Sequence, residues 1–247
     1  MKFIRIVLSY CIFVENNTKN SSYFYKNISK LGEHYIKKLI KEGEHQQLDF
    51  KFEISDSRKI SRTLVAFANT DGGKLLVGVK DNGAIAGVRT EEEYYMVEAA
   101  ANIYCKPPVP FEVKKWIVDS KTVLEIDVSK SNKRFFAKSD DGRWLAYVRV
   151  LDQNILANKI MLEVWKRKDE ARPTFIKYTD NEKMLLEYLS VNDEITLSKF
   201  TRISKLTRQQ AEKVLINLLC FDVIQMRLTD KGAFYSLIAS PTTQSSS

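Results

Sequence analysis

The sequence predicts an α+β fold, a mixed-sheet α/β domain followed by a small winged-helix domain. Three observations predict it. Helical and strand-like patterns follow one another through the first two thirds of the chain in the order α-β-α-β-β-α-β-β-β-α, which suits a mixed sheet with helices packed on it. The character of the chain changes between Lys168 and Lys177, where Glu170-Ala171-Arg172-Pro173 reads as a linker. Three helical patterns and two short strands then fill about sixty residues, the helix-turn-helix with a β-wing. The expected division is an extension over 1–28, an α/β domain over 29–168, a linker over 169–177, a winged helix over 178–240 and a tail over 241–247.

Each element has a local reason. Leu31, Tyr35, Leu39 and Ile40 recur near helical spacing, so Ser29 to Lys41 is predicted helical, ended by Gly43. Gln47 to Phe52 alternates and predicts a strand with Leu48, Phe50 and Phe52 on one face. Ser55 or Ser57 can cap a helix running to Ala68. Lys74 to Val79 is nearly all hydrophobic, the pattern of a central strand. Asp81-Asn82-Gly83 is a tight turn, and Ala84 to Val88 is expected to return as a hairpin partner. Thr90 caps a helix to about Tyr104, with Glu91, Glu92 and Glu93 suited to its N-terminal dipole. Past Pro107, Pro108 and Pro110 come strands at Phe111–Val118, Thr122–Val128, Phe135–Ala137 and Arg143–Val150, and a helix at Gln153–Arg167. Beyond the linker, helices are predicted over Asn181–Leu189, Leu197–Arg202 and Thr207–Leu219, with strands Val223–Leu228 and Ala233–Ile238 around Thr229-Asp230-Lys231-Gly232. The last residues, from Pro241, are rich in Ser, Thr and Gln and are expected to be disordered.

A hydrophobic fraction of 44% in 247 residues supports a sizeable core without disulfides. Cys11, Cys105 and Cys220 form no C-x-x-C pair, and neither His34 nor His45 has a Cys or second His at metal spacing. A reducing, cytoplasmic setting fits that pattern. The opening residues, Met1 to Val14, have a charged start and an apolar run but no small-residue cleavage site, and the run is too short to span a bilayer. No membrane association is expected. The net charge is +8, and from Thr179 onward eight Lys/Arg balance eight Asp/Glu. The excess therefore precedes Thr179, where a polyanion is expected to be drawn first.

Several motifs follow one another in order. They are Gly43-Glu44, Asp49-Phe50-Lys51, Ala66-Phe67-Ala68-Asn69-Thr70-Asp71-Gly72-Gly73, Gly78-Val79-Lys80-Asp81-Asn82-Gly83, and a closing Gly87. This run resembles the Schlafen-type AlbA-like domain, also described in bacteria as a divergent AAA-type or DNA-binding domain, from about Gly32 to Lys168. Tyr147-Val148-Arg149-Val150 and the helix after it fit the same pattern. The resemblance implies nucleic-acid binding, and a winged helix is a common companion in bacterial members. In Schlafen nucleases three acidic residues form an RNA-cleaving site, and those positions fall on Glu44, Asp49 and Asp81. Three convergent carboxylates suit Mg²⁺ or Mn²⁺, which prefer oxygen ligands. Asp49 stands where the family usually has Glu, one methylene longer. The alternative is that Glu44 and Asp81 are cap and turn residues and Asp49 pairs with a lysine. An ATP-binding label accompanies the family, yet no G-x-x-x-x-G-K-[ST] cradle is present.

The Asn69, Gly72 and Gly73 loop either lets a ligand approach the backbone or only makes a tight helix-to-strand connection. Candidate phosphate contacts are Lys51, Lys74, Lys80, Lys114, Lys115, Lys133, Arg134, Lys138, Arg143 and Arg149, interleaved with Trp116, Phe135, Phe136 and Trp144, since exposed aromatics beside Lys/Arg can stack bases. Most of these aromatics are expected in the core. In the winged helix, Arg208 and Gln209 suit base edges, and Arg202 suits the backbone. The leading expectation is a DNA-binding regulator or RNA-binding protein. The alternatives are a metal-dependent endoribonuclease and a nucleotide-binding protein whose winged helix docks partners. A homodimer is expected by analogy with animal Schlafens, which pair two such lobes.

Overall fold

The computed structural model describes residues 31–170 and 178–238. The expected extension 1–28, the linker residues 171–177 and the tail 241–247 lie outside the described residues. The chain divides into two compact units after Asn154. The described residues form seven helices and several sheets in an α+β arrangement.

In the first unit, α1 covers residues 31–42. It leads to β1 (Leu48–Lys51), α2 (Ser57–Asn69) and β2 (Gly73–Val77), then α3 (Glu92–Asn102) and β3 (Cys105–Lys106). The long antiparallel pair β4 (Glu112–Val118) and β5 (Lys121–Val128) follows. Asp119 and Ser120, both with positive φ, turn the chain between them, as a two-residue hairpin requires. The main sheet has the order β1-β2-β5-β4, with β1 and β2 parallel and the rest antiparallel. Alternation along the strands gives it two buried faces. On one, Ile36 of α1 clusters with Leu48, Phe50, Leu76 and Val123. On the other, Leu64 and Phe67 of α2 and Val97 of α3 cluster with Leu75, Leu124 and Ile126. Each large side chain buried there contributes about 1.5–3 kcal/mol. The small antiparallel sheet β3-β6-β7 adds β6 (Phe136–Lys138) and β7 (Trp144–Leu145), and β8 (Tyr147–Val150) pairs with β9 (Gln153–Leu156).

Three local expectations are corrected. The cap of α2 is Asp56, whose carboxylate accepts from the Arg58 N–H at 2.8 Å, while Ser57 is buried and donates to the Met96 carbonyl. Residues 84–88 form no hairpin with β2 beyond an isolated bridge from Val79 to Ile85. Gly78, with φ +94°, ends β2, and its carbonyl accepts from both Ala86 and Gly87, so the segment curls onto that glycine. Residues 153–156 are strand, and the helix starts only at Lys159.

That helix, α4 (Lys159–Asp169), belongs to the second unit. It is followed by α5 (Asp180–Val191), β10 (Ile195–Thr196), α6 (Leu197–Ser204), α7 (Arg208–Cys220), β11 (Ile224–Thr229) and β12 (Gly232–Leu237). Ile160 and Val164 of α4 join Leu185, Phe200, Leu215, Ile224 and Tyr235 in one core. The strands order as β10-β12-β11, all antiparallel. Capping boxes at Thr179/Glu182 and Thr207/Gln210 fix the starts of α5 and α7. No described helix is long and apolar enough to cross a membrane.

Candidate functional site

The acidic residues singled out in the sequence separate into a pair and an outlier. Glu44 precedes β1, and its Oε1 accepts from the Phe50 N–H at 2.8 Å. Asp49 lies within β1 and is 4% exposed. Burial pushes the Glu44 carboxyl up from its ordinary value, and Asp49 beside it adds to the shift, against the Phe50 N–H and Lys51. Asp49 is already neutralised. Arg149 Nη2 donates to its Oδ1 at 3.1 Å, and Lys51 Nζ stands 3.0 Å from its Oδ2. Asp81 sits apart in the exposed turn after β2. Among the described residues no three His, Cys, Asp or Glu side chains could hold a metal ion. The residues present do not fit Mg²⁺ or Mn²⁺, because two protein cations take the metal's electrostatic place.

Arg149, expected to touch phosphate, is 2% exposed. Besides Asp49 it donates to Asn154 Oδ1 at 3.0 Å and to the Leu48 carbonyl at 3.3 Å, and it lies over the Phe67 ring. It is a strut beneath β1, out of reach of a nucleic acid.

The Asn69–Gly73 loop is likewise committed to the fold. Asn69 Nδ2 donates to the carbonyls of Phe135 and Tyr147, and its Oδ1 accepts from the Phe135 N–H. Gly72 has φ +72°, and a Cβ there would lie 2.8 Å from both Lys130 N and Val128 O. A Cβ on Gly73 would strike the Phe67 ring. The glycines admit a neighbouring strand rather than a ligand. A cleft of about 440 Å³ opens beside them. Its cations are matched by acids, Lys130 by Asp71 and Lys74 by Glu125 and Asp127, so it offers little to an anion.

The charge excess is not on this body. Between residues 31 and 154, twenty Lys/Arg stand against nineteen Asp/Glu. Any attraction for a polyanion there must be local. Lys115 pairs with Glu91, Arg143 with Asp141, and Lys51 with Asp49. Lys80 lies over the exposed Phe52 ring at 5.3 Å, and Arg134 is half-buried beside Phe135 in sequence. Lys114 and Lys133 have no acidic partner among the described residues.

Two features escaped the sequence reading. Glu125, fully buried, accepts from Tyr35 Oη at 2.9 Å, Lys74 Nζ at 2.7 Å and Trp116 Nε1 at 2.6 Å. Burial and Glu125 push the Tyr35 phenol up to about 12. A lone Glu in a hydrophobic strand was the only hint of this knot. The second is the assembly of Lys106 with Phe136, Lys138 and Trp144 on the outward face of the small sheet, of which the sequence offers all but Lys106. Cys105 and Ala137 turn into the core, so the alternate positions Lys106, Phe136, Lys138 and Trp144 share the other face. Trp144 is 38% exposed, with Lys106 Nζ at 5.9 Å and Lys138 Nζ at 6.0 Å from its ring centroid.

In the second unit, α6 and α7 meet at Lys205, which takes a left-handed conformation, φ +56°. The start of α7 is exposed at Thr207, Arg208 and Gln209, while Ala211, Leu215 and Leu218 are buried. Arg208 Nε donates to Glu212 at 3.1 Å. The Lys159 hydrogen bond, then that of Arg208, hold the Glu212 carboxyl below its ordinary value. Gln209, Arg202 and Lys205 are exposed with no side-chain partner among the described residues.

Residues 44–158 match the model of the family described as Schlafen, AlbA_2. The match covers the first unit from Glu44 and stops at the cap of α4. No curated protein matches the chain. Among solved structures, the crystal structure of the DIP2311 protein from Corynebacterium diphtheriae is 18% identical over 77% of this chain, with a TM-score of 0.40. This chain spans only 38% of that one. The N-terminal domain of a RecG-related protein from Nitrosomonas europaea is 22% identical over 50% of this chain and 95% of its own, with a TM-score of 0.35.

Proposed function

We propose that this protein binds nucleic acid, with the second unit acting as a winged helix that docks on a duplex and the first unit supplying further contacts. The observation that carries the reading is the exposed start of α7. Three helices and a β10-β12-β11 sheet bury one side of α7, and its first residues, with Arg202 and Lys205 at the turn, are left in solvent. In a helix-turn-helix that end of the second helix meets base edges. Arg208 and Gln209 are chemically able to read guanine and adenine there. The match of residues 44–158 to the Schlafen, AlbA_2 model supports a nucleic-acid role for the first unit. Regulation of transcription is the finer reading, and a docking role for the same helix is its competitor, favoured by the even charge balance beyond Thr179.

The test is retention of labelled duplex DNA and of tRNA by the full chain at low and moderate salt, with and without Mn²⁺. Duplex retention that falls with salt, and is weakened by Arg202→Glu with Lys205→Glu, is the expected result. No retention of either nucleic acid at low salt overturns the reading.

A further inference from the structure

We infer that the outward face of the small sheet is a second contact site, at which Trp144 stacks on an unpaired base of single-stranded nucleic acid and Lys106 and Lys138 hold the flanking phosphates. This inference rests on the nucleic-acid reading above and adds the strand form it recognises in the first unit.

Three observations lead to it. First, a solvent-facing strand face is ordinarily polar, yet this one alternates two aromatics with two lysines. The core requires only the opposite face, where Cys105 and Ala137 are buried. Second, both ammonium groups lie within 6.0 Å of the same ring centroid. Two ammonium groups at one ring gather positive charge around it. Neither lysine has an acidic partner among the described residues, so both charges are available to an anion beside the ring. Third, the neighbouring cations are treated differently. Arg58 and Arg62 pair with Asp140, and Arg143 pairs with Asp141. Beside these paired arginines, the two lysines at Trp144 have no acidic partner among the described residues.

An anion beside a planar π surface describes a nucleotide unit. A partly exposed indole on a strand needs an unstacked base, which a duplex does not present. Single-stranded binders combine aromatic platforms with backbone cations in this way.

The experiment titrates the full chain with single-stranded oligonucleotides of DNA and of RNA, with the matching duplex and with the mononucleotide. It follows tryptophan fluorescence and anisotropy. The wild type is expected to bind the single strands with quenching, and more tightly as the oligonucleotide lengthens. Trp144→Ala should weaken single-strand binding roughly tenfold and leave duplex binding unchanged. Trp144→Phe should retain most of the affinity and lose the quenching, and it serves if Trp144→Ala folds poorly. Lys106→Gln and Lys138→Gln should each lower the slope of log K against log salt by about 0.7. If the wild type binds duplex but the single strands do not respond to Trp144, this inference fails and the duplex reading stands. Mononucleotide binding as tight as that of the longest strand also overturns it. Absence of binding to every nucleic acid overturns both.

Discussion

Arg149 Nη2 donates to Asp49 Oδ1 at 3.1 Å, and both side chains are almost wholly excluded from water. The pair ties β8 to the edge strand β1, some hundred residues away in sequence. A buried charge left alone costs far more than the pair contributes. Arg149→Met leaves Asp49 with Lys51 alone and is expected to lower stability by up to about 3–5 kcal/mol, read from the urea midpoint at unchanged slope. Adding Asp49→Asn should recover part of the loss. A double variant no more stable than Arg149→Met would show that packing over Phe67, not charge, is what Arg149 supplies.

Glu44 gives a pH signature. Its folded-state carboxyl titrates above the ordinary value of 4.5, chiefly through burial and then through Asp49. The folded state thus prefers the protonated form. That contribution is full below about pH 4.5 and is lost as pH rises through the raised value. Glu44→Gln keeps an acceptor for the Phe50 N–H and removes the charge. Its melting temperature should exceed the wild type's at pH 7, with the gap closing on acidification to below 4.5. A lower melting temperature at pH 7 would mean that the carboxylate's bond to Phe50 outweighs its burial.

Gly72 and Gly43 have nearly the same φ, +72° and +74°, but different surroundings. A Cβ at Gly43 meets nothing within 4 Å, whereas one at Gly72 meets Lys130 N and Val128 O at 2.8 Å. Gly43→Ala is expected to cost about 1–2 kcal/mol, the left-handed penalty alone. Gly72→Ala should cost clearly more, because backbone must move. Equal losses in thermal unfolding would place the strain in the turn and not in the close approach.

Glu212 holds Arg208 through Nε alone, which leaves both Nη groups for a base edge. If they meet guanine, Arg208→Ala with Gln209→Ala should weaken binding to a selected duplex by about 1–3 kcal/mol per lost contact. Binding to random DNA should be nearly unaffected. Unchanged gel-shift affinity for both would leave α7 a docking surface.

The residues that set local geometry announced themselves, and those that set long-range pairing did not. The turn at Asp119-Ser120 fell in the gap between the predicted strands Phe111–Val118 and Thr122–Val128, and the starts and ends of α6 and α7 fell within two residues of their predicted positions. The partner of β2 was missed because Asn82-Gly83 signals a hairpin locally, while Gly78 ends the strand and parallel β1 takes the edge. The helix after Val150 was placed early because Gln153–Leu156 carries apolar residues that suit either period. At the candidate site, residue type alone could not separate a buried Arg149 from a surface cation. Burial depends on β8, α2 and β1 meeting. Lys106 and Trp144 lie far apart in sequence, and only the strand pairing through β6 brings them together.

Among the described residues the strand β4 ends the main sheet and pairs only with β5. That edge is seven residues long, and Ile117 is exposed on it. Such an edge is a template on which a strand from another molecule can grow. Lys114 and Lys115 stand in the middle of that edge on opposite faces of the sheet; Lys115 is held by Glu91, and a second chain growing there would have to accommodate Lys114, which has no acidic partner among the described residues. Charged side chains on an edge strand oppose such pairing, so variants that remove these lysines to probe binding should be checked for aggregation.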